Sequence, residues 1–125
     1  MNRGNKMTDE QKQRLEDIKS LKFSWFEPNK GKPINKFAIS TATTLLDSLP
    51  EDFEIFPLSD GNIQLECTRD SKYLEIAILE NKLEIYWQLL CNGVIICEGS
   101  DTVLYISDSI KSKITKFVNF FFNEF

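Results

Sequence analysis

The side chains that could do chemistry lie in the middle of the chain, where acidic and phenolic residues recur at alternate positions. They are Glu66, Tyr73, Glu75, Glu84, Tyr86 and Gln88. Paired carboxylates can act as general acid and base, or bind a divalent cation through oxygen. The same residues are also typical of a solvated sheet face, and exposed tyrosines beside aliphatic residues are typical of interface anchors. The residues alone leave these three functions open.

The sequence lacks the residues that other kinds of catalysis require. The 125-residue chain has no histidine, which excludes the usual nucleophilic triads and the commonest zinc ligand. Its glycines are isolated, so no phosphate-binding loop is present. The three cysteines are predicted to be free thiols: Cys67 in the core, Cys91 paired with Val94, and Cys97 across from Gln88 on the opposite face. We therefore expect no catalytic residue, no metal site and no cofactor.

Charge is distributed unevenly along the sequence. The net charge is -4, but residues 1–36 carry +4 and residues 37–105 carry -9. An acidic middle argues against nucleic acid as the main partner and favours a basic protein, although solubility alone also explains it. A weaker expectation is nucleic-acid contact through the basic first 36 residues. No apolar run is long enough to cross a membrane and no secretory signal is present, so we expect a cytoplasmic protein.

Alternation of apolar and polar residues predicts five strands, Phe53–Leu58, Asn62–Cys67, Lys72–Leu79, Lys82–Cys91 and Val94–Cys97. Asp60-Gly61 and Asn92-Gly93 are dipeptides that favour tight hairpins. Pro57 cannot donate a hydrogen bond to a neighbouring strand, which predicts that the first strand lies at a sheet edge. Whether Thr102–Ile106 forms a sixth strand or continues the fifth is left open.

Hydrophobic matching sets the expected register between the third and fourth strands. Pairing Ile76 with Ile85 places apolar residues together on one face and Glu75 opposite Tyr86 on the other. A turn at Arg69-Asp70, with Thr68 opposite Ser71, would place Glu66 beside Tyr73 and Gln64 beside Glu75. The polar face would then gather the candidate residues, with three apolar residues expected at one end, namely Leu79, Leu90 and Ile95.

Three helices are expected to cover the other face. The first begins at Thr8 with a capping box and extends to Leu21, and its thin apolar stripe predicts light packing. The second spans 34–49, with a stripe of Phe37, Ala38, Thr41, Ala42, Leu45 and Leu49. Ser107 is expected to cap the third. The predicted fold is α+β, a five-stranded antiparallel meander with helices on one face, in the order α-α-β-β-β-β-β-α. We expect one domain over residues 1–125, with 1–7 a flexible tail.

The last helix ends in a run of phenylalanines. Phe120 and Phe122 fall outside its apolar stripe, and with Phe125 they would form an exposed patch. Such patches mark association surfaces, which predicts a homodimer or a partner groove. The alternative is that the second helix or the loop at Trp25 covers them.

Two segments carry a family resemblance. Trp25 is followed by Gly31-Lys32-Pro33-Ile34, and the hairpin reads PLSDGNIQLEC before Leu74-Glu75-Ile76. The chain resembles a group of small bacterial proteins with a tryptophan, a Gly-rich loop and a PT-x-DGGIQLEW hairpin. Phe26-Glu27 and Cys67 depart from the usual Asp-Gly and Trp. That group has no established activity, so the resemblance implies a fold, and a bacterial or phage origin, but no chemistry.

The pattern as a whole favours a non-enzymatic protein-interaction domain that binds a partner through the exposed sheet face. Its size and charge suit an accessory, immunity- or antitoxin-type, or inhibitor protein. The alternative is a small carboxylate-based enzyme that depends on a divalent metal, or a small-molecule binder.

Overall fold

The helices and strands form an α+β fold, as the sequence predicts. The computed structural model describes residues 7–22, 25, 31–104 and 110–123. Its elements are α1 (Asp9–Lys19), α2 (Lys36–Leu46), β1 (Glu54–Pro57), β2 (Ile63–Arg69), β3 (Lys72–Ile78), β4 (Lys82–Cys91), β5 (Val94–Leu104) and α3 (Ile110–Asn123). None of the described helices has the length and apolar character of a bilayer-spanning segment.

The five strands form an antiparallel meander in the order β1-β2-β3-β4-β5. β1 lies at one edge, as Pro57 predicts. The predicted register between β3 and β4 is confirmed: Ile76 lies opposite Ile85 and Glu75 opposite Tyr86. Hydrophobic matching selects it because a shift of one residue would place apolar side chains on the wrong face. Of the segment 102–106, which was left open, residues 102–104 continue β5, and residues 105–106 lie outside the described part of the chain.

Two local predictions of strand register were wrong. The β2–β3 turn is at Asp70-Ser71, so Glu66 lies opposite Glu75 and not beside Tyr73. Asp70 allows this turn because it adopts a left-handed conformation (φ 52°), which Asp tolerates better than most residues. In β5, a bulge shifts the register between Leu89 and Leu90, which places Cys97 opposite Leu89 instead of Gln88. Cys97 therefore lies on the helix-covered face.

The core lies between the helices and one face of the sheet. It contains the inward residues of β1–β4 together with buried residues from all three helices. From α2, Ala38, Ala42 and Leu45 are fully buried, whereas Phe37 is 48% exposed, so its predicted place in the stripe was wrong. Small alanines bring α2 close to β2 and β3, and this close approach leaves Phe37 beside the core instead of inside it.

Helix α1 is held to the edge of β1 by specific polar contacts. Thr8 caps the helix through the predicted capping box with Gln11. The Gln11 side chain is buried and donates to the carbonyl oxygens of Glu51 (3.2 Å) and Phe53 (2.8 Å). Leu15 and Ile18 are buried beneath it. The thin apolar stripe is thus supplemented by hydrogen bonds that hydropathy does not reveal.

The segment before α2 packs on the Asp60-Gly61 turn. The Lys32 N–H donates to the Ser59 carbonyl at 2.9 Å, and the Asn35 N–H donates to the Gly61 carbonyl at 2.9 Å. Asn35 is also the N-cap of α2 and accepts from the Ala38 N–H. A Cβ on Gly61 (φ +91°) would lie 3.0 Å from the Pro33 carbonyl oxygen. The segment 31–35 and the Asp60-Gly61 turn therefore form one structural unit.

Helix α3 closes the core over β3 and β4. Phe121 is buried and its ring lies 5.9 Å from that of Trp87. The Lys72 ammonium donates to the carbonyl oxygens of Phe121 (2.8 Å) and Phe122 (3.3 Å). A cation at a helix C-terminus is favoured by the helix dipole. The predicted cap, Ser107, lies outside the described residues.

Candidate functional site on the open face of the sheet

The sheet face opposite the helices carries the candidate side chains. We call it the open face, and the strand registers place on it Glu54, Phe56, Gln64, Glu66, Thr68, Tyr73, Glu75, Ala77, Lys82, Glu84, Tyr86, Gln88, Leu90, Ile95, Glu98, Ser100, Thr102 and Leu104. These strand residues include five glutamates and one lysine, Lys82, which lies 3.4 Å from Glu84. The open face is therefore acidic.

A row of carboxylates crosses three strands of the open face. Glu54 lies opposite Glu66, and Glu66 lies opposite Glu75. Like charges directly opposite one another destabilise a sheet. Two neighbouring donors offset the repulsion: Gln64 donates to Glu66 at 2.6 Å, and Tyr73 donates to Glu75 at 2.7 Å. A bound cation would relieve it further, so this row is suited to receive Lys or Arg side chains.

The two tyrosines are held in place by hydrogen bonds. Tyr86 donates to Glu98 and accepts from Gln88 at 2.7 Å. Its ring meets that of Tyr73 edge-on, with centroids 6.5 Å apart. Burial, followed by the bond to Glu75, raises the pKa of Tyr73, and the bond to Glu98 raises the pKa of Tyr86. Both phenols are therefore neutral hydrogen-bond donors at physiological pH, not bases or nucleophiles.

A shallow depression of about 240 Å³ lies at Ala77, where a small residue sits between larger neighbours. Its open-face lining is Glu75, Ala77, Glu84, Tyr86, Ser100 and Thr102. Two carboxylates and a tyrosine ring around a small residue suit a cationic side chain, because the aliphatic stem can pack on the ring while the head meets the carboxylates.

All six predicted partner-binding residues lie on the open face, and the structure brings Tyr73, Glu75, Tyr86 and Gln88 into one connected group. Of the three apolar residues predicted at one end, Leu90 pairs with Ile95. Leu79 lies at the opposite end, where its N–H donates to the Lys82 carbonyl, so its predicted place was wrong. The mistake arose because β3 and β4 run in opposite directions, which separates Leu79 from Leu90.

Sequence reasoning missed several members of the open face, among them two glutamates, Glu54 and Glu98. Glu98 bonds to Tyr86 but was not placed, because the fifth strand was predicted to end at Cys97. The polar alternation of Glu98, Ser100 and Thr102 is the signal that would have extended it. Glu54 was passed over because a single charge in a four-residue edge strand is a weak signal.

The predicted phenylalanine patch is only partly present. Phe120 is 50% exposed, as predicted. Phe122 instead packs against the core, with its ring 6.4 Å from that of Phe53 and the Arg69 guanidinium 4.7 Å from its centroid. Phe122 is therefore not part of an exposed patch, because Phe53 and Arg69 pack against its ring. Phe125 lies outside the described residues.

The cysteines are free thiols, and Cys67 is buried while Cys91 and Cys97 are exposed. Burial raises the pKa of the Cys67 thiol to about 12, which makes it unreactive at neutral pH. Within the described part of the chain, no three cysteine or acidic side chains are grouped so as to hold a metal ion.

Comparison with protein-family models, with curated proteins and with solved structures found no match for this chain.

Proposed function

We propose that the protein is a non-enzymatic interaction domain that binds a basic partner protein through the open face of its sheet. The supporting observation is the depression at Ala77, where Glu75, Glu84 and Tyr86 converge on a small residue. A lysine or arginine of the partner would enter it. Tyr73 and Tyr86 would act as rigid anchors, since tyrosine adds contact area at a low cost in conformational entropy.

The charge of the open face supports this partner chemistry. Its glutamates outnumber its lysine by five to one, so a basic surface would be attracted over a distance and oriented on arrival. The repulsion along Glu54, Glu66 and Glu75 is a cost in the free protein that a cationic partner would remove. An accessory, immunity-type or inhibitor protein acts in this way, by covering a partner.

The cytoplasm is the compartment we propose. All three cysteines are free, including the exposed pair, and free thiols persist in a reducing environment.

Two substitutions test the face without disturbing the core. Ala77→Met fills the depression without changing charge, and Glu84→Lys reverses a charge at its rim. Glu80→Lys is the matched control, because Glu80 is exposed in the β3–β4 turn outside the open face and gives the same charge change. The probe is a hexa-arginine amide, titrated into isotope-labelled protein at low salt and followed through backbone amide shifts.

We expect shifts centred on β3 and β4, and binding weakened by Ala77→Met and Glu84→Lys but only slightly by Glu80→Lys. When the protein is used as bait for quantitative affinity capture from host extract, the partners captured by the natural protein should be lost with both Ala77→Met and Glu84→Lys. The same partners should be retained with the control Glu80→Lys. Equal weakening by Glu80→Lys would show a non-specific charge effect and would reject the site. Shifts centred on the helices would reject it as well.

A further inference from the structure

The two edges of the sheet differ in how they are protected. An edge strand presents unpaired backbone N–H and C=O groups, which can pair with another chain unless they are covered. β1 is four residues long and ends at Pro57, whereas β5 is eleven residues long and contains no proline. This difference determines which edge can accept another strand.

Side chains from α1 occupy the β1 edge. Gln11 donates to the Phe53 carbonyl at 2.8 Å, and Arg14 donates through Nε to the Ile55 carbonyl at 2.9 Å. A groove of about 570 Å³ lies along this edge, and its walls include both side chains. The outward carbonyls of Phe53 and Ile55 are therefore already bonded, and an incoming strand could not pair with them without displacing these α1 side chains.

The β5 edge has no such cover among the described residues. Among the residues that the structure describes, the one side-chain hydrogen bond to the β5 backbone is local, from the Thr102 N–H to Asp101 Oδ1 at 2.8 Å. Large apolar side chains are exposed at both of its ends: Val94 is 64% exposed, Ile96 64% and Leu104 56%. An uncovered strand of this length with exposed aliphatic residues is a site for strand addition.

We propose that β5 pairs with β5 of a second copy, antiparallel and about a two-fold axis at Gly99, to form a ten-stranded sheet. The hydropathy of the strand supports this occupant. Residues 94–97 are apolar, 98–102 are small or polar, and 103–104 are apolar again. An antiparallel two-fold pairing brings the apolar start of each strand against the apolar end of the other.

Charge repulsion disfavours two of the nearby registers. With the axis at Gly99, Glu98 lies opposite Ser100 of the second copy and Cys97 lies opposite Asp101 of the second copy. Moving the axis to Glu98 or to Asp101 would place two carboxylates directly opposite each other, which is destabilising. The Gly99 register also pairs the strand over its full length.

The assembly closes at two copies. After pairing, the remaining edges are the two β1 strands, both covered by α1, so the sheet cannot grow into a fibre. Because the two-fold is perpendicular to the sheet, both open faces lie on the same side. This pairing does not depend on what the open face binds.

Sedimentation velocity of the full chain over a wide concentration range measures the oligomeric state directly. We expect twice the monomer mass for the natural protein and the monomer mass for Ile96→Lys, because an edge lysine blocks strand addition. Phe120→Lys is the matched control: it adds the same charge at a similarly exposed apolar residue on α3 and should leave the dimer intact. A monomeric natural protein, or a dimer lost in Phe120→Lys but not in Ile96→Lys, would overturn the proposal.

Cross-linking tests the register. Asp101→Cys places a new thiol opposite the natural Cys97 of the second copy, so mild oxidation with oxidised glutathione should give a covalent dimer. The same substitution combined with Cys97→Ser should not. Failure of Asp101→Cys to cross-link, or equally fast cross-linking of the natural chain through Cys97 alone, would overturn the Gly99 axis. A chain that stays monomeric and binds an added extended peptide at β5 would identify a different occupant and refute the second-copy proposal.

Discussion

The contact between Gly99 and Trp87 gives the sharpest stability prediction. The two residues are paired across β4 and β5. A Cβ at position 99 would lie 2.4 Å from Cζ2 and 2.6 Å from Cε2 of the Trp87 indole. Ordinary carbon contacts are about 3.5–4.0 Å, so Gly99→Ala forces the ring or the strand to move. The indole cannot move freely, because Phe121 packs against it.

The expected cost follows from two opposing effects. Overpacking of this kind costs about 1–3 kcal/mol, and the poor mobility of the Trp87 ring places it near the upper end. Replacing glycine in an extended strand recovers about 0.4–1 kcal/mol by restricting the unfolded chain. The net loss in the free energy of unfolding should be about 2 kcal/mol, which corresponds to a melting temperature lower by roughly 8 °C for a chain of this size.

Thermal and urea unfolding at one fixed protein concentration measure this loss, and a double-mutant cycle with Trp87→Phe tests its cause. The smaller ring should relieve the overlap, which gives a coupling of about 1–2 kcal/mol with Gly99→Ala. Gly93→Ala is the matched control: its φ of +80° makes alanine unfavourable, but no atom lies within 4 Å, so it should be additive with Trp87→Phe. An unchanged melting temperature for Gly99→Ala, or additivity at both glycines, would refute the reasoning.

Two further predictions concern titratable side chains. In the native protein a maleimide should label Cys91 and Cys97 quickly at neutral pH. Cys67 is buried and has a pKa of about 12, so it should be labelled only after unfolding. An intact-mass spectrum of the native protein with three labels would contradict this. Arg69 donates a hydrogen bond to Asp52 at 2.7 Å, and this bond lowers the pKa of Asp52. The ionised carboxylate therefore stabilises the fold at pH values above its ordinary pKa. That stabilisation is lost as the pH falls through the lowered pKa of the folded state. Asp52→Asn should therefore cost at most about 1 kcal/mol at neutral pH, since the pair is partly exposed, and the difference in urea unfolding from the natural protein should vanish in acid; a difference that persists at low pH would contradict the assignment.

Regular strands with one apolar face were predicted well because both their period and their register are local properties. The pairing of Ile76 with Ile85 follows from hydropathy and a short turn, and the structure confirms it. The irregular positions were not predictable in the same way. The left-handed Asp70 and the bulge near Leu90 each add or move a residue without changing the hydropathy pattern. The continuation of β5 through Gly99 was left open because glycine normally weakens a strand, and the ring that covers this one comes from another strand.

The six candidate residues were assigned to one face from the sequence alone, because alternation assigns each side chain to a face before any partner strand is known. The contacts among the side chains of the open face were not predicted. The bond between Tyr86 and Glu98 requires the bulge that realigns β5, and the row of Glu54, Glu66 and Glu75 requires the moved turn at Asp70. A shift of two residues preserves the face but changes every cross-strand neighbour.

By itself the sequence determined the fold class, the two faces of the sheet and the acidic character of the open one, since these depend on side-chain type and on the two-residue period of a strand. The tertiary structure decided which residues touch. It covered the β1 edge with Gln11 and Arg14 and, among the described residues, placed no comparable cover on β5, because only the docked position of α1 determines which backbone groups its side chains can reach. Long-range placement of this kind depends on the whole chain packing around one core, and no local pattern encodes it.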